Sequence, residues 1–282
     1  MKERTLDMKT ETIGGITKRL NNGLDIPLLG IGTFRDPGDE AARQAVAAAL
    51  QFGYRHIDTA HAYYDEVGVG QGIIDSGVPR EQIWLTSKLW TNEYGEGKTS
   101  RAIDAMLDRL QVDYIDLLYV HQPVGDWKGA WRDMEKAVRD GKVRSLGISN
   151  FDRPMSLYDE AMRWAEIKPV ALQTECQPYA QREELAKRLK ADNVLLEAWF
   201  PLGGAGGHRS VTSDPIIDKI ARNHGKTPTQ IVLRWHIQEG HSAIPGSINP
   251  EHIAENFNIF DFELSPEDMA LIRSLNREKR FY

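Results

Sequence analysis

A chain of 282 residues, 41% hydrophobic and 27% charged, has the composition of a globular protein with a sizeable core. Its formal net charge of -6, with Lys and Arg scattered along the chain, argues against a nucleic-acid partner. A single cysteine, Cys176, excludes an intrachain disulfide and any multi-cysteine zinc or iron-sulfur site.

Residues 1–12 are polar and charged, without the apolar centre of a signal peptide, and read as a flexible extension. No stretch approaches the ~20 apolar residues of a membrane span, so a cytoplasmic protein is expected. Two short strand-like pieces between Ile16 and Leu29 flank Asn21-Asn22-Gly23, a hairpin turn because Asn and Gly accept positive φ cheaply. Leu28 to Thr33 reads as the first strand of a sheet. Asp39 then opens a helix with Ala42, Ala45, Val46, Ala49 and Leu50 on one stripe, which Gly53 ends.

The alternation continues with a strand from Arg55 to Asp58 and a helix after Tyr64. A strand from Ile83 to Lys88 precedes a helix with Ile103, Met106, Leu107 and Leu110 on one face. Further strands run from Tyr114 to Val120, Val143 to Ile148, Val170 to Thr174, Val194 to Trp199 and Ser242 to Pro245. Eight strands separated by helical patterns predict a parallel sheet with right-handed crossovers, closed as a βα barrel in one domain over residues 1–282. An open doubly wound sheet competes, but no Gly-x-Gly-x-x-Gly turn follows the first strand. Gly68, Gly70 and Gly72 have no strand directly before them and read as helix packing, not as a phosphate cradle. Pro201 to Ser213, with five residues of the run 203–207 being Gly or Ala, is the longest excursion and could serve as a flap.

Three of the strands end in ionisable residues, Asp58, Lys88 and His121, and Tyr63 follows the first of them by about one turn. Chemistry at strand C-termini is the habit of parallel barrels. The segment Arg55-His56-Ile57-Asp58-Thr59-Ala60 through Tyr63, with Thr86-Ser87-Lys88, resembles the aldo-keto reductase family. The resemblance covers nearly the whole chain and is strongest to the bacterial branch that includes diketogluconate reductases. It implies a TIM-type barrel whose hairpin closes the bottom, and a catalytic tetrad of Asp58, Tyr63, Lys88 and His121. Carbonyl reduction needs a hydride donor and a proton donor aimed at the oxygen. Tyr63 fits the second role if Lys88 stabilises its anion, Asp58 holds Lys88, and His121 orients the carbonyl.

The resemblance further implies an NADP(H) or NAD(H) site. Ser149, Asn150 and Gln173 would bind the carboxamide, and Trp199 would stack on the nicotinamide ring. Thr33, Pro201 and Leu202 belong to the same set. Ser247, Asn249, His252, Glu255 and Asn256, in and after the loop that follows the last strand, would bind the adenosine end. Gly246 and His252 stand where the family often has Lys and Arg, which weakens the grip on a 2′-phosphate. Phe34, Trp90, Gln122 and Trp127 are candidate pocket walls, with Gln122 where the family usually has Trp. The expected partner is a small-molecule carbonyl, and the expected state a monomer. Two other readings are a non-catalytic redox-sensing subunit of this fold, and a barrel aldolase or isomerase using Lys88 as a Schiff-base amine.

Overall fold

An antiparallel hairpin, β1 (Thr17–Arg19) with β2 (Asp25–Pro27), opens the described part of the chain. The computed structural model describes residues 14–34, 38–204 and 211–282. The expected N-terminal extension and residues 205–210 of the glycine-rich excursion lie outside those residues. After the hairpin come β3 (Ile31–Gly32), α1 (Asp39–Phe52), β4 (His56–Asp58), α2 (Glu66–Ser76), β5 (Trp84–Leu89) and α3 (Lys98–Leu110). Next are β6 (Leu117–Val120), α4 (Trp127–Arg139), β7 (Leu146–Ser149), α5 (Met155–Trp164), β8 (Ala171–Glu175) and α6 (Glu183–Ala191). The remainder holds β9 (Leu195–Trp199), α7 (Pro215–His224), α8 (Pro228–Gln238), β10 (Ser242–Ala243), α9 (Pro250–Phe257) and α10 (Pro266–Arg273).

Strands β3 to β10 pair in sequence order, all parallel. The sheet closes on itself through a parallel bridge between Leu29 and Ala243. Ala243 N–H donates to Leu28 O at 2.8 Å, and Gly32 N–H to Pro245 O at 3.1 Å. Closure rules out the open-sheet alternative. It also explains why the first and last strands are shorter than their apolar runs: the seam is held by single bridges and not by a long ladder.

The hairpin lies across the N-terminal ends of the strands. Lys18 Nζ donates to Gly240 O, Asn21 Nδ2 to Pro169 O, and Asn22 Nδ2 to Ser145 Oγ, residues that precede β10, β8 and β7. The apolar stripe of α1 is buried, and Gly53, at φ 115°, turns the chain out of the helix while its N–H closes on Ala49 and Leu50 carbonyls. In α2, a Cβ at Gly68 would stand 2.0 Å from Asp39 O, and one at Gly70 2.4 Å from Leu110 O. The glycines there serve close helix packing, as the sequence predicts. Among the described residues no helix is long and apolar enough to cross a membrane. Everything that bears on chemistry lies at the opposite end from the hairpin.

Candidate active site

Strand β4 ends at Asp58, and the chain then folds into a short 3-10 turn, His61–Tyr63, that left-handed Tyr64 terminates at φ 59°. Both flanks of this turn are tied down. Thr59 Oγ1 donates to Asp65 Oδ1 at 2.7 Å on one side. On the other, buried Glu66 at the start of α2 accepts from Ser87 Oγ and from Arg109 Nε, each at 2.8 Å. Tyr63 is thereby fixed between a strand end and a helix start.

Its phenol faces the ammonium of Lys88, with Nζ 3.3 Å from Tyr63 Oη. Lys88 is fully buried and donates also to Asp58 Oδ1 at 2.5 Å and to Thr59 O at 2.9 Å. Burial pulls the Lys88 pKa down, but the charge of Asp58 and the partner Tyr63 more than reverse this, so the amine stays an ammonium. For Tyr63 the balance falls the other way from the sequence expectation. Burial pushes the phenol up to about 12, against the pull of Lys88, because removing a phenolate from water outweighs one neighbouring cation. His121, after β6, is drawn down to about 3 by burial and by the Lys88 charge, so its imidazole is neutral. Its Nδ1 is buried without a hydrogen-bond partner among the described residues.

These groups stand at one end of a cavity of about 900 Å³, within the range of small-molecule sites. Asp58, Tyr63, His121, Ser149, Asn150, Gln173, Trp199, Pro201, Leu202 and Ser247 all line it, as do Phe34, Trp90 and Gln122. Lys88 reaches it only through Tyr63 and Asp58. Trp90 packs edge-on against His121, with ring centroids 4.9 Å apart, and Phe34 lies against Tyr63 at 5.0 Å. Asn150 takes a left-handed conformation, φ 65°, that lets its side chain donate to His121 O at 3.3 Å and accept from Trp199 Nε1 at 3.2 Å. The Ser149-Asn150 pair therefore braces the site and does not cap α5.

Several expected residues stand apart. Trp127 is not a pocket wall: it opens α4 and is buried against Phe151 and Trp164, at 5.2 and 5.9 Å, because its indole faces the core between helix and barrel. Thr33 is buried behind the cavity wall, its N–H donated to Asp58 O. Asn249, His252, Glu255 and Asn256 also lie off the cavity. Asn249 caps α9 through Glu251 N–H, and Glu255 accepts from Thr227 Oγ1 at 2.7 Å, because α9 packs against α1 and α8. Conversely, Phe200 and Tyr282, paired at 4.8 Å, line the cavity without having been singled out. Glu197, buried in β9, was missed too, although a lone acid inside an apolar strand is itself a signal.

The group that the sequence implies, a nicotinamide dinucleotide, fits this end of the cavity. An indole, a side-chain amide and a neutral imidazole converge there beside a protonated phenol. The sequence pattern of the Aldo/keto reductase family matches residues 28–277. The glyoxal reductase of Bacillus subtilis is 42% identical over 265 residues, covering 94% of each chain. A crystal structure of an aldo/keto reductase from Brucella melitensis superposes with a TM-score of 0.88 at 39% identity, covering 94% of this chain and 100% of the other. The Bombyx mori aldo-keto reductase, solved in complex with NADP, superposes with a TM-score of 0.86 at 32% identity over 95% of each chain. With the barrel, the buried Lys88–Asp58 pair and the phenol between cation and cavity already in place, these likenesses show that the chain belongs to the aldo/keto reductase family.

Proposed function

We propose that this NAD(P)H-dependent carbonyl reductase uses Tyr63 as the proton donor to the carbonyl oxygen of a small aldehyde or ketone. The observation that carries this reading is the hydrogen-bonded run from Asp58 through Lys88 to Tyr63 Oη, which opens on the cavity beside a neutral His121. A bound NADPH or NADH would supply the hydride.

The protein's own groups would act as follows. His121, uncharged, orients the carbonyl oxygen by hydrogen bonding. Tyr63, with its pKa pushed up to about 12, is fully protonated at neutral pH and so always loaded. A phenol this weak still protonates an alkoxide, which is the stronger base, and Lys88 takes up the charge left on the phenolate. Asp58 keeps Lys88 charged. The same ion pair speaks against a Schiff-base role, which needs a neutral amine. Aromatic rings of Phe34, Trp90, Trp199 and Phe200 keep water from the reacting centre and suit a carbonyl with an apolar flank. A panel of aldehydes, dicarbonyls and keto sugars, assayed for oxidation of NADPH and NADH, tests the reading. Binding of cofactor with no turnover of any carbonyl would leave the non-catalytic reading in its place.

A further inference from the structure

Glu197 sits in the middle of β9, in the apolar run Leu195–Trp199, and is fully buried. A carboxylate in such a place is costly unless its oxygens are met by donors. Here they are met from several strands. Oε1 accepts from Tyr119 Oη at 3.0 Å on β6 and from Gln173 Nε2 at 2.8 Å on β8. Oε2 accepts from Ser242 Oγ at 2.8 Å on β10, with His56 Nε2 of β4 at 3.7 Å.

The bond to Gln173 has a chemical consequence. Gln173 Nε2 also donates to Asp58 Oδ2 at 2.8 Å. A primary amide has two N–H donors and one carbonyl oxygen. Both donors of Gln173 are thus spent on carboxylates, and turning the amide over would set its oxygen against two acceptors. The orientation is dictated by Asp58 and Glu197. What remains for a ligand is the amide oxygen, on a residue of the cavity wall. Glu197 itself does not reach the cavity.

We propose that Glu197 is a positioning residue for the nicotinamide end of the cofactor: by holding one N–H of Gln173 it presents the amide oxygen as acceptor for the carboxamide N–H. The inference rests on the cofactor reading above and assigns a role to a residue one layer beneath that site.

Dissociation constants read from quenching of tryptophan fluorescence test it, using NADPH and 2′,5′-ADP, which lacks the nicotinamide. Glu197→Leu removes the acceptor and should weaken NADPH by roughly ten-fold, the worth of one charge-assisted hydrogen bond, while leaving 2′,5′-ADP unaltered. Glu197→Gln keeps an oxygen for the Gln173 N–H and should stay within about three-fold of wild type for both. If Glu197→Leu binds NADPH like wild type, or weakens both probes alike, the inference is overturned. If the leucine variant does not fold, Glu197→Gln decides: retained NADPH affinity supports the acceptor role, and a ten-fold loss, on the same scale, refutes it. A wild type that binds NADPH no better than 2′,5′-ADP would instead overturn the cofactor reading, and this inference with it.

Discussion

Lys88 Nζ stands 2.5 Å from Asp58 Oδ1 with both side chains buried, so the cation that faces Tyr63 is one half of a sealed ion pair. Removing one partner strands the other. Lys88→Met should therefore cost about 3–5 kcal/mol of stability, the usual penalty for an uncompensated buried charge. The double variant Lys88→Met with Asp58→Asn should regain much of that stability and none of the activity. Urea unfolding alongside turnover checks both halves; a double variant with restored turnover would show that the pair is structural only.

Tyr63→Phe keeps the ring that packs on Phe34 and His121 and removes only the hydroxyl. Cofactor affinity should be retained while kcat for an activated aldehyde falls by at least about 100-fold, as expected on losing a general acid. Near wild-type turnover in this variant would show that another group delivers the proton.

We expect the adenosine end of a bound cofactor to extend beyond the cavity to α9. His252, exposed on α9, offers a phosphate less than an Arg fork does, so both NADPH and NADH should be used, with NADPH favoured. His252→Arg should raise the NADPH to NADH ratio of kcat/KM by roughly ten-fold, if the contact is worth about 1.5 kcal/mol. Introducing a lysine at Gly246 is a poorer route. A Cβ there would stand 2.8 Å from Gly32 O, and Gly32 is held to Pro245 at the barrel seam, so Gly246→Lys should lower Tm whatever it does to cofactor choice. An unchanged cofactor ratio in His252→Arg would place the phosphate elsewhere.

Two histidines outside the site add to the loss of stability in acid that buried His121 also brings. Burial draws His236 down to about 4; burial, together with the charges of His236 and Lys18, draws His241 down to about 3. In the unfolded chain each titrates near 6.5, so below that pH the unfolded state binds protons that the folded state refuses. Stability is then full above about pH 6.5 and falls by about 1.4 kcal/mol per pH unit for each histidine as the solution is acidified toward the folded values. His236→Gln should flatten that slope by one such share between about pH 6.5 and about pH 4. Urea midpoints across this range measure it, and an identical slope in the variant would mean that His236 already carries its proton when folded.

The sequence discloses most of what local pattern can encode. Asp58, Lys88 and His121 are visible because each ends an apolar run, and the stripe of α1 and the glycines of α2 are visible because helix packing has a fixed period. What it hides depends on direction. Trp127 reads equally well as wall or core until the rotation of α4 is known. The helix α9 looks like part of the cavity by position in the chain, yet it packs against α1 and α8 and lines none of it. Tyr282 enters the cavity from more than 200 residues after Tyr63, and nothing near it in the chain announces this. The sign of the Tyr63 shift was also beyond reach, since it turns on how far the folded chain withdraws the phenol from water.

The seam between Leu29 and Ala243 bears on how the molecule is made. During synthesis the early edge of the sheet emerges from the ribosome some 200 residues before its partner, leaving the groups that Ala243 and Pro245 later engage without a mate. An unpaired parallel edge is a template for other chains, and slow, non-local closure prolongs its exposure. A nascent chain stalled before β10 would display most of the barrel together with a sticky flank, so the emergence of β10 removes an edge through which such chains could associate.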